Sequence, residues 1–504
     1  MRTFLSLFVL FFLLACGNAD SVATERAGTA PVRAAAANAE PTAATRNSRV
    51  DAAALEARTL ESPDIRVTIP GVQLEGGLLI GQFAEQQYRA MQGTVEGNSI
   101  VFRRDEPLRP GHYYAYFQDG ASIQMLIDQD QQFSMSAPDP STAVRDMKVE
   151  GNTDTEMLYK ALNFEVDQQQ EFAMLGEAIR AIRPGTPGYD ELQADRAALV
   201  DKRLAFQDEL FAQAPQSLFT SYKRAGRNPQ LRIIRDEAGN LDEKAQVAAF
   251  RDEFWDSVDF SDPRLLNTPV IFNKLKRYMK ELTPQNANAI IESADKLLVK
   301  VLPYDEYFKF AANWITLQYE VGKTPVMDGA AIHVHMIQNY FTRDRAFWAD
   351  SMTVFGLQQR ADQMAHSLVG QPGPDITVPG IDGQPKRLYD SQKEYVAVFM
   401  YNPDCEHCIE ETPKLVRAYQ GLKNDVEIYA IALDTEDAKW KTFVRNNGMQ
   451  DFVNVYDPTN RSIFKTYYVD NTPELYLLNR DRTIVAKNLK VNQLAEAIAL
   501  DRSK

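Results

Sequence analysis

Residues 396–408 read VAVFMYNPDCEHC, and this stretch decides how the sequence is interpreted. Residues 396–400 are uniformly apolar, which is typical of a strand that is buried on both faces. After a short turn comes a Cys-x-x-Cys pair, Cys405 and Cys408, and the chain continues as a helix to about Leu422. The pattern therefore predicts a buried strand that delivers two cysteines to the start of a helix.

This position gives the two thiols different properties. A helix N-terminus carries unpaired N–H groups and roughly half a positive charge, which stabilises a thiolate at Cys405. Cys408 lies one turn along the same face and can attack a mixed disulfide formed at Cys405. His407 can add positive charge, whereas Asp404 and Glu406 oppose a thiolate. The sequence therefore leaves the net pKa of Cys405 open.

Three other interpretations of the cysteine pair are disfavoured. A zinc site needs four ligands, and the chain has three cysteines in all and five histidines. A structural disulfide that closes so small a loop would stabilise the fold little. A cysteine peroxidase carries Pro and Thr seven and three residues before its reactive cysteine, where this chain has Val398 and Asn402. The residues favour thiol–disulfide exchange, without metal or cofactor.

From Gly370 onward, predicted strands alternate with predicted helices, which indicates an α/β fold. On this pattern and the cysteine motif, residues 369–504 resemble the thioredoxin-like TlpA/ResA family of membrane-anchored thiol–disulfide oxidoreductases. The entry segment 370–375, GQPGPD, and the turn Asp382-Gly383 look like the corresponding parts of that family. Pro413 matches the proline that kinks the family's active-site helix.

The resemblance implies further site residues and a redox cycle. Thr472-Pro473 matches the loop whose cis-proline faces the cysteine pair, and Glu411 matches an acidic residue that assists proton transfer. Cys405 and Cys408 would form a disulfide in the oxidised state. Two positions depart from the thioredoxin pattern: Asp404 replaces a tryptophan, and Phe399 replaces a buried acid. These departures leave the redox potential open, while the family favours reduction of substrates.

The first residues of the sequence predict a location outside the cytoplasm. Residues 1–16 read MRTFLSLFVLFFLLAC, with Arg2 before an apolar run that is short for a membrane span. Ala15 and Cys16 end this run as a bacterial lipoprotein processing site does, so we expect lipidation at Cys16. Acyl chains on this cysteine would anchor the protein to a membrane. The expected location is the cell envelope, facing the periplasm, with the inner or outer membrane undecided.

Between the anchor and the α/β domain, the sequence predicts three segments. Residues 17–62 are Ala-rich with few large apolar side chains, as in a flexible linker. Residues 63–150 alternate apolar and polar positions between glycine turns, which predicts a small antiparallel β-sandwich with His112 facing solvent. Residues 151–368 are predicted to be all-α. The predicted helices in its second part are 243–257, 269–282, 285–301, 304–320, 329–340 and 344–366.

Composition restricts the partners. The chain has 504 residues, 44% hydrophobic and 25% charged, which fits a soluble globular protein of several domains. Its formal net charge of -14 makes nucleic acid an unsuitable partner. The expected partners are envelope proteins that carry disulfides or thiols, and a membrane electron donor is compatible with this. The alternative is a binding or scaffold lipoprotein whose upstream domains hold a partner while the dithiol is secondary.

Overall fold

The computed structural model describes residues 58–320, 323–458, 466–469 and 471–503, together with Leu55 and Ile463. The predicted signal segment, Cys16 and nearly all of the predicted linker lie outside these residues. Within the described part of the chain, no helix is long and apolar enough to cross a membrane.

Two sheets form the first structured region, and a common apolar core lies between them. The first sheet has the strand order β4-β5-β1-β8-β9 and the second β3-β2-β6-β7. The strands are β1 (Asp64–Thr68), β2 (Leu78–Phe83), β3 (Gln86–Gln92), β4 (Thr94–Glu96), β5 (Ser99–Arg103), β6 (Gly111–Tyr116), β7 (Ser122–Ile127), β8 (Gln132–Ser136) and β9 (Lys148–Glu150). The sheet-rich region predicted from alternation is confirmed.

Two details of that prediction are wrong. Strands β1 and β8 pair in parallel, so the first sheet is mixed rather than antiparallel, which the long connection between them allows. His112 is buried rather than solvent-facing, with Nε2 at 3.2 Å from Gln124 Oε1 and the ring edge-on to Tyr114. Burial lowers the pKa of His112 to about 4, so the imidazole is neutral at physiological pH.

Helices form the middle region, as predicted. They are α1 (Ala143–Asp146), α2 (Thr153–Ala181), α3 (Tyr189–Gln213), α4 (Leu218–Ala225), α5 (Glu243–Asp252), α6 (Pro269–Arg277), α7 (Ala287–Val301), α8 (Asp305–Gln318), α9 (Gly329–Tyr340) and α10 (Ser351–Ala365). The helix expected over 344–366 begins only at Ser351, because the Asp350 side chain caps the N–H groups of Met352 and Thr353. The helix expected over 269–282 is present over that whole range, as an α-helix to Arg277 and as a π-helix from Tyr278 to Leu282.

A buried ion network joins the sheets to the helices. The Arg264 guanidinium donates to Asp128 at the end of β7 at 2.7 Å, and to both Asp262 carboxylate oxygens at 2.9 and 2.7 Å. All three side chains are at most 5% exposed. Nearby, a Cβ on Gly111 would lie 2.7 Å from Asn267 O, so the two regions approach closely here.

The last region is a five-stranded sheet of order β14-β13-β12-β15-β16, with a small hairpin β10-β11 beside it. Its strands are β10 (Thr377–Pro379), β11 (Pro385–Arg387), β12 (Tyr395–Tyr401), β13 (Val426–Ala432), β14 (Val453–Tyr456), β15 (Glu474–Leu478) and β16 (Ile484–Ala486). Its helices are α11 (Glu406–Leu422), α12 (Asp437–Asn446) and α13 (Leu494–Arg502). Strands β12, β13 and β14 run parallel, whereas β15 and β16 are antiparallel to their neighbours. The predicted α/β architecture is confirmed.

Strand β12 is central and buried along its whole length. Alternate residues belong to different apolar cores: Phe399 and Tyr401 pack with Cys408, and Val398 and Met400 pack on the opposite face. This alternation follows from the two-residue period of a strand. It places the cysteine motif at the carboxyl end of the central strand, above the core that α11 covers.

Candidate active site

Cys405 is the N-cap residue of α11, where the motif predicted it to lie. Its carbonyl oxygen accepts the first helical hydrogen bond, from Ile409 N at 3.0 Å. The preceding turn is closed by Cys405 N donating to Asn402 O at 3.1 Å and by Asp404 N donating to Asn402 Oδ1 at 2.7 Å. Asn402 therefore shapes the turn that presents the first cysteine.

The Cys405 thiol is partly buried and surrounded by hydrogen-bonding groups. Its Sγ donates to the carbonyl oxygen of Thr472 at 3.2 Å. Burial raises the pKa of the Cys405 thiol, but hydrogen bonds from the Cys408 backbone and thiol, the Thr472 side chain and the His407 backbone outweigh it. The pKa of Cys405 therefore lies below its ordinary value, which resolves the question that the sequence left open.

Cys408 has the opposite environment. Its side chain is fully buried in the core beneath α11, and its Sγ accepts a hydrogen bond from Asn402 N at 3.4 Å. Burial raises the pKa of the Cys408 thiol to about 12. Cys408 is therefore a neutral thiol at physiological pH, whereas Cys405 is the group more readily ionised. Both are present as thiols, and the disulfide between them stays a prediction.

Exposed charges near the motif partly cancel. The Asp404 carboxylate opposes a thiolate, but Lys439 on α12 lies 3.0 Å from Asp404 Oδ2. This ion pair offsets the negative field that Asp404 alone would impose on Cys405. Sequence reasoning did not identify Lys439, because only the tertiary fold brings α12 next to the cysteine turn.

The loop at Thr472-Pro473 lies against the cysteines and has a cis peptide bond. Pro473 immediately precedes β15, the antiparallel neighbour of β12. The loop thus presents its backbone beside Cys405.

His407 and Glu411 lie on the exposed side of α11 and line the same cavity as Pro473. The His407 backbone N–H is one of the groups that lower the pKa of Cys405. The contribution of the ring charge that the sequence suggested stays a prediction. The Glu411 carboxylate forms an ion pair with Lys414 at 2.6 Å. The proton-transfer role implied for Glu411 stays a prediction.

An aromatic stack beneath the dithiol was not predicted. The Tyr401 ring stacks on Phe399 at 5.2 Å and on Phe443 at 5.3 Å between ring centroids. Burial raises the pKa of Tyr401, so its hydroxyl stays protonated. The position of Tyr401 at the end of the buried strand, directly before the motif, was the signal that could have identified it. The stack is part of the apolar core that buries Cys408, and this burial raises the pKa of the Cys408 thiol.

Within the described part of the chain, no group of three or more His, Cys, Asp or Glu residues is arranged to hold a metal ion.

Comparison with known proteins identifies the C-terminal domain. The model of the AhpC/TSA family matches residues 369–493. The chain is also similar to three solved structures. A thioredoxin-like protein from Bacteroides caccae is 16% identical, and the match covers 55% of this chain and 100% of that chain with a TM-score of 0.45. A domain of a possible thiol-disulfide isomerase from Cytophaga hutchinsonii is 30% identical, and the match covers 27% of this chain and 94% of that chain with a TM-score of 0.26. The thioredoxin domain of a thiol-disulfide oxidoreductase from Bacteroides vulgatus is 25% identical, and the match covers 26% of this chain and 95% of that chain with a TM-score of 0.25.

No curated protein matches the chain. The family match covers the strands, the active-site helix and the loop before β15. The resemblance inferred from the cysteine motif is thus confirmed for this region. Residues 369–493 form a thioredoxin-like domain that matches the AhpC/TSA family.

Proposed function

We propose that the protein is a membrane-anchored thiol–disulfide oxidoreductase that reduces disulfides of envelope proteins through Cys405-Glu406-His407-Cys408. The observation that carries this proposal is the asymmetry of the two thiols. Cys405 is partly exposed with a lowered pKa, and Cys408 is buried with a pKa of about 12. A nucleophile must reach its substrate as a thiolate, whereas a resolving thiol is best kept protonated until the mixed disulfide forms.

The reaction proceeds in two exchanges. The Cys405 thiolate attacks one sulfur of the substrate disulfide, and the other substrate sulfur leaves as a thiolate that takes up a proton. Cys408 then loses its proton and attacks Cys405 Sγ, which releases the second substrate thiol. The substrate gains two electrons and two protons, and Cys405 and Cys408 are left as a disulfide. A thiol donor must restore the dithiol before the next cycle.

The direction of exchange in this proposal rests on the resemblance to the TlpA/ResA family. Equilibration of the full chain with glutathione buffers measures it. We expect a reduction potential more negative than about -200 mV, in the range of reducing thioredoxin-like proteins. A value near -120 mV, as in a strong oxidant, would reverse the proposed direction.

The proposed location rests on the first 16 residues. Lipidation at Cys16 would hold the folded domains at an envelope membrane, where substrate proteins carry disulfides. Replacing Cys16 by Ala should move the protein from the membrane fraction to the soluble fraction. If this variant still sediments with membranes after a high-salt wash, the anchor is not at Cys16.

Trapping tests the exchange itself. In the Cys408→Ser variant the mixed disulfide at Cys405 cannot resolve, so substrate proteins should remain linked to it. The matched control is the double variant Cys405→Ser and Cys408→Ser, which should capture none. Equal recovery from both variants would favour the scaffold alternative. Rapid consumption of hydrogen peroxide by the wild type without disulfide exchange would instead indicate a peroxidase.

A further inference from the structure

A cavity of about 1090 Å³ lies between the active-site helix and the helical region. One wall is formed by the thioredoxin-like domain, including His407, Glu411 and Pro473. The facing wall is formed by residues 324–330 before and at the start of α9, including Pro325 and Met327. The helical region therefore faces the thioredoxin-like domain across a cavity that reaches His407, next to Cys408 in the chain, and Pro473 of the cis-proline loop.

Buried polar contacts fix the position of this facing wall. Asp328 is buried, and its Oδ2 accepts a hydrogen bond from Val369 N at 2.8 Å, at the start of the thioredoxin-like domain. Lys487, in the segment that follows β16, is also buried, and its charge acts on both Asp328 and Glu474. Glu474 directly follows Pro473. The Lys487 charge thus interacts with Asp328 in the facing wall and with Glu474 beside the cis-proline loop.

The cavity has a positive edge. Among the described residues that line it, Glu411 and Glu474 are the carboxylates. Glu411 is paired with Lys414 at 2.6 Å, and Glu474 faces the charge of Lys487. Arg417 and Lys490 also line the cavity and are exposed, and neither has an ion-pair partner within the described part of the chain. Although the chain has a net charge of -14, Arg417 and Lys490 give this edge of the cavity two cations without ion-pair partners among the described residues.

We propose that this cavity binds an acidic, extended polypeptide segment next to the substrate's disulfide. The inference rests on the proposed function and adds a substrate class to it. Its volume of about 1090 Å³ lies at the upper end of the roughly 300–1000 Å³ that is typical of ligand pockets, which gives room for a short chain segment. Arg417 and Lys490 attract acidic side chains, while Pro325 and the half-exposed Met327 supply apolar contact from the facing wall. The thioredoxin-like domain thereby supplies the charge that favours acidic substrates, and the helical region adds apolar contact to the same segment.

Two synthetic peptides of equal length test this inference. Each carries one intramolecular disulfide, flanked by Asp in one peptide and by Lys in the other. Mixing either with the reduced full chain and measuring single-turnover exchange gives two rates. The expected result is a roughly tenfold preference for the Asp peptide, which decreases as salt is added, since charge steering is screened.

Variants locate the source of the preference. The double variant Arg417→Glu and Lys490→Glu should abolish or invert the ratio of the two rates, and Met327→Glu should lower it. Arg445→Glu is the matched control, because Arg445 lies on α12 away from the cavity lining and its substitution should leave the ratio unchanged. Circular dichroism verifies that each variant is folded.

The outcomes separate the two proposals. Equal rates for both peptides, or a preference that the double variant retains, would overturn the cavity inference. So would a wild type that reacts with the small neutral disulfide 2,2′-dithiodipyridine but with neither peptide. If the wild type reacts with none of the three disulfides, the proposed oxidoreductase function itself is wrong.

Discussion

Two buried polar sites in this molecule are built in opposite ways. At the junction of the sheets and helices, Arg264 is matched by Asp128 and Asp262 with hydrogen bonds in fixed geometry. At the carboxyl end of β12, Cys405 and Cys408 share an apolar core with unequal exposure. The first site holds charged groups whose change of protonation state would require a large free energy. The second holds neutral thiols, of which one is poised to ionise.

The difference shows how burial serves structure in one place and reactivity in another. A buried guanidinium between two carboxylates has no alternative protonation state near neutral pH, so it only fixes geometry. Burial raises the Cys408 pKa, whereas hydrogen bonds lower that of Cys405 one turn away. Removing a side chain from the ion network should lower the free energy of unfolding, and removing a thiol from the second site should lower the rate of disulfide exchange.

The largest expected effect is on exchange. Cys405→Ser removes the accessible thiolate, so disulfide reduction should fall to the background rate while the melting temperature stays close to that of the wild type. Insulin reduction together with a thermal melt measures both. Residual exchange carried by Cys408 would mean that the buried thiol reaches substrate, which would contradict the asymmetry.

The next effect is the difference in thiol reactivity. Because only the thiolate is alkylated, Cys405 should react about a thousandfold or more faster than Cys408 at pH 8. The Cys405 rate should rise with pH with a midpoint below the ordinary pKa of a cysteine thiol, whereas Cys408 should stay protonated until about pH 12. Iodoacetamide labelling with peptide mass spectrometry measures the two rates separately. Equal rates would mean that burial does not distinguish the thiols.

Breaking the ion network should cost stability without changing the chemistry. Arg264→Met removes the cation from the buried Asp262 carboxylate and leaves Asp128 with Arg58 alone, at an expected loss of about 3–5 kcal/mol in the free energy of unfolding. Without Arg264 the pKa of the Asp128 carboxyl, which burial already raises, rises further. The loss should therefore shrink as pH falls toward the unfolded value of about 3.9.

Chemical denaturation at pH 7 and pH 4 measures this loss, and the exposed Arg445→Met serves as the control, expected within about 0.5 kcal/mol of the wild type. A loss for Arg264→Met that is equal at both pH values would show that the carboxylates are not responsible.

The smallest expected effect lies at the rim of the dithiol site. Lys439→Gln removes the cation beside Asp404 and should raise the pKa of Cys405, whereas Asp404→Asn should lower it. Each shift should be below about one pKa unit, because the pair is exposed and screened by solvent. The pH dependence of Cys405 alkylation measures both variants. Shifts of the same sign in the two variants would show that their charges do not act on the thiolate.

Part of this site could be predicted from sequence because its residues are close in the chain. A buried strand, a tight turn and a helix start at Cys405 follow from local apolar pattern and motif spacing. The burial of His112 could not be predicted, because it depends on Tyr222 in the helical region packing on that face of the sheet. The start of α10 at Ser351 depends instead on the side-chain cap of Asp350, which competed with a longer helical pattern.

The sequence by itself determined the helix start at Cys405 and, with it, which thiol we expect to act as the nucleophile, since a helix N-terminus stabilises a thiolate. Only the tertiary structure decided the contacts that tune it. The Thr472 carbonyl reaches Cys405 across 67 residues, and Arg264 reaches Asp128 across 136. The cavity wall at Met327 likewise comes from another region of the chain. Local pattern fixes a helix terminus because backbone geometry is local, whereas burial and hydrogen bonding depend on which distant segments the fold brings together.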